Sequence, residues 1–204
     1  MKKVNRTSHQ FFPFGVFKYK RKRGPSQKPP TIAQLEHQKK FGVAAKFLSH
    51  VRKAIPIITC KRKKRDYDRY LAKMVHGCGF TGVFPNYELD YSNLELTSPG
   101  LGEMIYDAKW CVQGVVQINW DMWNSEANDD VFVFAYNATA ERSHIFSKIA
   151  VRKDLEVKVE IPDYCEDDVV HIWVFFKSTD NQSSSRSVYF KLDTSHLQAG
   201  AEPQ

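Results

Sequence analysis

No acidic side chain precedes Glu36, and that absence is the first thing to explain in this 204-residue chain. Other absences narrow what the protein is. The four cysteines, Cys60, Cys78, Cys111 and Cys165, form no CxxC pair, which excludes a zinc knuckle and a thioredoxin-type redox motif. Their spacing asks for no disulfide, and they read as reduced thiols. No glycine-rich phosphate loop and no nucleophile elbow is present. No stretch reaches the roughly 20 apolar residues of a membrane span. The apolar patch Phe11 to Phe17 is interrupted by Pro13 and Gly15 and lacks a small-residue cleavage site, so it does not read as a secretory signal. The expectation is a cytoplasmic protein without cofactor or catalytic metal, and not an enzyme.

The scarcity of acid is local. From Met1 to His76 there are 21 Lys or Arg and three acids, Glu36, Asp66 and Asp68; from Gly77 to Gln204 there are nine basic and 20 acidic residues. The net charge of +7 therefore hides a cationic first part of +18 and an anionic remainder of −11. Such sorting points to an anionic partner or to complementary packing within or between molecules. A hydrophobic content of 42% excludes a wholly disordered chain.

Residues 1–30 form a basic aromatic arm ending in a Pro-rich linker, Gly24 to Pro30. Thr31 with Gln34 three positions on gives a capping box. Ile32, Leu35, Val43, Ala44, Phe47, Leu48, Val51 and Ile55 recur at helical spacing, and Pro56 is expected to end that helix. A second helix is expected from about Arg62 to His76, with Gly77 as its cap, making residues 31–80 a helical hairpin. After Gly82 the period falls to two. Tyr87/Leu89/Tyr91, Leu94/Leu96, Val116/Ile118/Trp120, Val131–Tyr136, Ile145–Val151, Val157/Val159/Ile161, Val169–Phe176 and Val188/Phe190/Leu192 read as strands between turn signals. The fold class expected is α+β: the arm and hairpin, then an immunoglobulin- or fibronectin-like β-sandwich of about seven strands over 84–193, and a tail at 194–204.

Several linear motifs carry a family likeness. They are Pro30-Thr31-Ile32-Ala33-Gln34-Leu35, Lys39-Lys40-Phe41-Gly42-Val43, Lys46-Phe47-Leu48-Ser49, Thr81-Gly82-Val83-Phe84-Pro85-Asn86-Tyr87 and Asp90-Tyr91. Weaker strand motifs follow in Val133 to Asn137, Ile161-Pro162-Asp163 and Ser185 to Phe190. On these residues the chain resembles a family of bacterial proteins known as domain of unknown function 6266, over roughly residues 28–192. Members usually open with glycine-rich, hairpin-like sequence; here residues 5–25 are aromatic and basic, with only Gly15 and Gly24. The resemblance implies a helical segment followed by a β-sandwich. It implies no activity that carries over.

The candidate partner-binding residues are the two cation runs. Lys18, Lys20, Arg21, Lys22 and Arg23 lie beside Phe17 and Tyr19; Lys61, Arg62, Lys63, Lys64 and Arg65 lie beside Tyr67 and Tyr70. Cations with interleaved aromatics suit backbone phosphates and base stacking. They equally suit a solvated face complementing the anionic part. The leading expectation is a structural or interaction protein that binds a protein or acidic partner, or assembles with itself, through its cationic half. The alternative is a non-specific nucleic-acid-binding protein. A third class, an exported adhesion or carbohydrate-binding module, needs an export route that the sequence does not advertise. His76 with Cys78 is too small a set for a metal site. His171 reads as a strand residue with a satisfied hydrogen bond, Asp129, Asp130, Asp163, Glu166, Asp167 and Asp168 as solvated turn acids, and Trp120 as core. Trp110 and Trp123 stay open between core packing and an exposed platform.

Overall fold

The structure, a computed structural model, describes residues 29–59, 66–77, 79–97, 100–102, 105–122 and 128–193. The chain divides into two compact units, residues 1–35 and 36–204. Within the first, the capping box forms: the Thr31 N–H donates to Gln34 Oε1 at 2.9 Å, and the Gln34 N–H to the Thr31 hydroxyl at 3.3 Å. It opens helix α1, Ile32–Val51.

Pro56 does not end α1, contrary to the sequence expectation. The helix stops at Val51, and the Ala54 N–H closes a tighter turn onto the Val51 carbonyl at 2.8 Å. Pro56 instead sits in the first turn of a short second helix, α2, Ile55–Ile58. A proline has no N–H to give to the carbonyl four residues back, so it is harmless in a first turn and disruptive later. Helix α3 spans Asp66–Gly77 and takes in Gly77 as its last residue.

The rest is antiparallel sheet with few helices. A two-residue pair, β1 (Phe80–Thr81) and β2 (Glu88–Leu89), closes a loop through Gly82. Gly82 has φ +81°, and a Cβ there would stand 2.2 Å from the Asn86 carbonyl oxygen, so only glycine fits. One sheet has the order β3 (Ile105–Val112), β4 (Val115–Trp120), β7 (Glu156–Glu160); the other has β6 (Arg142–Val151), β5 (Asp130–Asn137), β8 (Val170–Lys177), β9 (Val188–Leu192). Their inner faces share a core that includes Val116, Ile118 and Trp120 from one sheet and Val131, Val133, Ile172, Val174 and Phe176 from the other.

The outer face of the four-stranded sheet is also buried. Phe132, Phe134, Tyr136, Trp173 and Phe175 form one apolar cluster with Ala44, Phe47, Leu48 and Val51 of α1, Ile55 and Ile58 of α2, and Leu71 and Met74 of α3. The helical segment thus shares a core with the sheet. This explains why β5 and β8 read as near-continuous apolar runs: each has both faces covered, so neither needs a polar side.

Three local expectations change. Strand β3 escaped the period-two reading because its register shifts between Ile105 and Asp107, so inward positions pass from Ile105 to Ala108 and Trp110. Leu94 and Leu96 are buried alternately but pair with no strand. They follow a 3₁₀ turn at Tyr91–Asn93, and their segment is held by side chains: Trp173 Nε1 donates to the Leu94 carbonyl at 2.9 Å, and the Leu96 N–H to the Ser187 hydroxyl at 2.9 Å. Of Tyr87 to Tyr91, only Glu88–Leu89 is strand.

Candidate anion-binding site

Between Glu36 and Asp66 the chain carries ten Lys or Arg and no acid. Helix α2 lies inside this stretch and is pinned to the body. Ile55 and Ile58 are buried, the Thr59 N–H and hydroxyl both donate to the Ile55 carbonyl at 2.9 Å, and Lys177 Nζ of β8 donates to the Ile57 carbonyl at 2.7 Å. Lys177 is only 4% exposed, and its ammonium also stands 5.3 Å from the centre of the Phe132 ring. Its stem is covered by apolar neighbours while its head meets a carbonyl and a ring face, which is how a buried lysine stays solvated by protein.

Several cations of the stretch are committed to partners. Lys46 pairs with Glu141 at 2.6 Å, and Lys40 lies 4.8 Å from the Tyr87 ring centre. Arg52 and Lys53, in the turn before α2, are exposed, and among the described residues no acid pairs with them.

Beside α2 a cleft of about 480 Å³ is lined by Thr59, Phe132, Ser147, Lys148, Lys177 and Asn181. Lys148 takes a left-handed φ of 56° where β6 slips register against β5, and pairs with Asp130 at 2.6 Å. Asn181, also left-handed at φ 57°, sits in a loop closed on itself. Its N–H donates to the Ser178 carbonyl at 2.8 Å, the Ser178 N–H donates to the Ser183 carbonyl at 3.1 Å, and the Asp180 carboxylate accepts from the Ser178 hydroxyl and the Gln182 N–H.

Of the sequence-predicted residues, Lys18, Lys20, Arg21, Lys22, Arg23, Phe17 and Tyr19, and the run Lys61 to Arg65, lie outside the described residues, as does Trp123. Tyr67 and Tyr70 are half-buried against the helix–sheet core, and the Tyr70 hydroxyl donates to the Leu96 carbonyl. Sequence reasoning missed Arg52, Lys53, Lys148 and Lys177. The acid-free span was visible for the first two. For Lys177 the only signal was a cation closing a strand that is apolar apart from His171.

The remaining polar groups are built into the structure. His171 Nδ1 lies 2.8 Å from the Tyr189 hydroxyl, its ring 4.1 Å from that of Tyr91; burial pushes its pKa down to about 4. Burial likewise raises the Tyr189 hydroxyl to about 12 and the Tyr136 hydroxyl well above its ordinary range. Asp168 and Asp129 are buried, which corrects the expectation of solvated turn acids for these two. Asp168 Oδ2 accepts from Asn137 Nδ2 at 2.7 Å and the Cys165 N–H at 2.8 Å; Asp129 pairs with Arg152 at 3.6 Å. Arg152 is fully buried, with its guanidinium 4.4 Å over the Phe176 ring and Nη2 donating to the Gly102 carbonyl at 2.9 Å. Trp110 is 8% exposed and packs on Tyr164, so it forms no exposed platform; Trp120 is core. A second cleft, of about 610 Å³, holds a charge cluster in which Glu95 meets Lys73 at 3.1 Å and Arg186 at 2.5 Å, and the Lys73 ammonium keeps Glu95 below the usual carboxylate range.

No helix among the described residues is long and apolar enough to cross a membrane, and among them no group of three or more His, Cys, Asp or Glu is placed to hold a metal. A family model described as "Family of unknown function (DUF6266)" matches residues 13–191, so the chain belongs to that family. No curated protein matches. Among solved structures, one titled "Myokine structure" is similar over 48% of this chain and 98% of its own, with 15% identity and a TM-score of 0.37.

Proposed function

We propose that this member of the DUF6266 family is a non-enzymatic interaction module, in which an immunoglobulin- or fibronectin-type sandwich carries a cationic N-terminal half that docks an acidic partner. The three-plus-four strand arrangement and the core shared by the two sheets support the sandwich. The observation that carries the docking role is the acid-free stretch from 37 to 65, anchored on the body at α2 with Arg52 and Lys53 left exposed. Unpaired cations held by a folded support give a fixed positive field, which raises encounter rates with an anionic surface. The buried titratable groups favour a binding role over catalysis, because His171, Asp168 and Asp129 are each engaged by a structural neighbour.

The test is binding of the full chain to labelled polyanions, an oligonucleotide and polyglutamate, at 50 and 200 mM salt. A partner held through about 6 to 10 cations loses about 10³ to 10⁵ in affinity across that range. Replacing Lys61, Arg62, Lys63, Lys64 and Arg65 by glutamine is expected to weaken binding strongly. Absence of binding to every polyanion at low salt would refute the proposal.

A further inference from the structure

We infer that the acidic partner is a second copy of this chain, whose opposite end receives the acid-free stretch that runs through α2. The inference rests on the reading above that this stretch docks an acidic partner, and it names that partner.

The second charge pole is visible in the sequence. Between Lys158 and Lys177 there are five acids, Glu160, Asp163, Glu166, Asp167 and Asp168, and no Lys or Arg. Most of them lie in the turn from β7 to β8, and that turn is fixed. The Ile161 N–H donates to the Gly114 carbonyl at 2.8 Å and the Asp168 N–H to the Cys165 carbonyl at 3.0 Å, while Asp168 Oδ2 accepts from Asn137 and Cys165. Arg142 neutralises Asp163 at 2.6 Å. Glu160, Glu166 and Asp167 are exposed and form no ion pair among the described residues. Lys158, exposed two residues before Glu160, offsets part of this charge and leaves the turn negative.

The surface there is shaped for a protein. A cleft of about 320 Å³ is lined by Gln113, Gly114, Glu160, Pro162, Asp163 and Tyr164, and Val112 beside it is 56% exposed. Apolar surface rimmed by charge is the anatomy of a protein interface. Behind Tyr164, at 4.5 Å between ring centres, Trp110 is 8% exposed and its indole N–H has no acceptor among the described residues. A buried donor without an acceptor costs about 1–3 kcal/mol, and the backbone carbonyl of an incoming segment relieves that cost once Tyr164 turns aside.

The two poles stand at opposite ends of the four-stranded sheet. Asn137 faces Val170 in the β5–β8 register at the acidic end, and Asp130 faces Lys177 at the other. Seven residue steps of about 3.3 Å separate these pairs, roughly 23 Å. Lys177 holds α2 at the second end, where Thr59 also lies. Lys61 follows Thr59 by two residues, a chain reach of about 7 Å. The Debye length in physiological salt is about 8 Å, so the cations near α2 are screened from the acidic turn of their own molecule. The charges meet when one end of a copy docks on the opposite end of another. Such a contact joins two different patches, leaves one of each free, and extends by adding copies.

The test is sedimentation velocity of the full chain. At about 50 mM salt the mass is expected to rise above 23.6 kDa as protein concentration increases, and to return to that value at about 500 mM. The variant Glu160→Lys/Glu166→Lys/Asp167→Lys is expected to associate at least about 10-fold more weakly, with an unchanged melting temperature and undiminished binding to polyglutamate. Replacing Lys61 to Arg65 by glutamine is expected to weaken association as well. An equimolar mixture of the two variants is then expected to form a one-to-one dimer and nothing larger, because each keeps one intact patch. The indole N–H resonance of Trp110 is expected to move on association, and an unmoved resonance would overturn its part in the contact. A chain that stays monomeric at low salt yet binds polyglutamate would overturn self-association while leaving the docking function intact. Association indifferent to the triple substitution would overturn the acidic turn as the seat, and a mixture that stays monomeric would overturn the pairing of these two ends. A chain that neither associates nor binds polyglutamate at low salt would refute the docking function itself.

Discussion

Phe47→Ala tests the central structural claim, that α1 is part of the folded body. Phe47 is 2% exposed and its ring meets Tyr136 at 5.1 Å, Tyr91 at 5.5 Å and Trp173 at 6.1 Å. Truncating a buried phenylalanine costs about 3–5 kcal/mol, from lost transfer energy plus the cavity left behind. The edge-to-face contacts with Tyr136 and Tyr91 place the cost at the upper end, since each such pair contributes about 0.5–1.5 kcal/mol beyond burial. That is a large share of the roughly 5–15 kcal/mol by which a domain is stable. For a chain of this size each kcal/mol moves Tm by about 2–4 °C, so a fall of about 8–20 °C is expected. Calorimetry and urea unfolding of the full chain measure it. Near-ultraviolet circular dichroism reports whether the aromatic cluster of Trp173, Tyr91 and Tyr136 loses its fixed packing. A cost below about 1 kcal/mol would refute the reasoning, because it would mean that the helix does not share the core of the sheet.

Two further predictions follow from the buried titratable groups. His171 has a folded pKa of about 4 against 6.5 for the free side chain, so the unfolded chain binds the proton first. Stability is then full above about pH 6.5 and falls as pH drops towards 4, by about 3 kcal/mol in all; urea unfolding at pH 7, 5.5 and 4.5 measures it. His171→Gln is expected to remove this part of the slope, and an unchanged slope would show that the imidazole is not buried neutral. Arg152→Ala leaves the Asp129 carboxylate buried without its guanidinium and is expected to cost about 3–5 kcal/mol, whereas the double variant Arg152→Met/Asp129→Leu recovers much of it. Equal losses in the single and double variants, measured by thermal unfolding, would contradict the pairing.

Much of the molecule was readable from period and punctuation. The capping box at Thr31 and Gln34 set the start of α1, because both partners lie within one turn. Strands β4, β5, β7, β8 and β9 showed in alternating or continuous apolar runs. Strand β3 did not, since a register slip moves its inward positions from odd to even and erases the period. The Leu94 and Leu96 alternation was misread for the opposite reason: burial alternates along any extended segment, and only long-range partners decide whether it joins a ladder. Pro56 reads in the sequence as the end of α1 but lies in the first turn of α2, because a proline marks a first turn as readily as an end. The site was legible only as charge. Arg52 and Lys53 belong to a span whose lack of acid is plain, whereas Lys148 and Lys177 lie more than 80 residues away in the chain.

The amino-acid order alone determined the sorting of charge, the change of period near Gly82 and the approximate number of strands, because these are local properties of neighbouring residues. Tertiary structure alone decided that the helices cover the outer face of the four-stranded sheet, that Arg152 and Asp129 are buried together, and that Lys177 holds α2 beside a cleft lined by Ser147, Lys148 and Asn181. Each of these depends on which distant surfaces exclude water from one another, and that is fixed only when the sheets close and the helices dock.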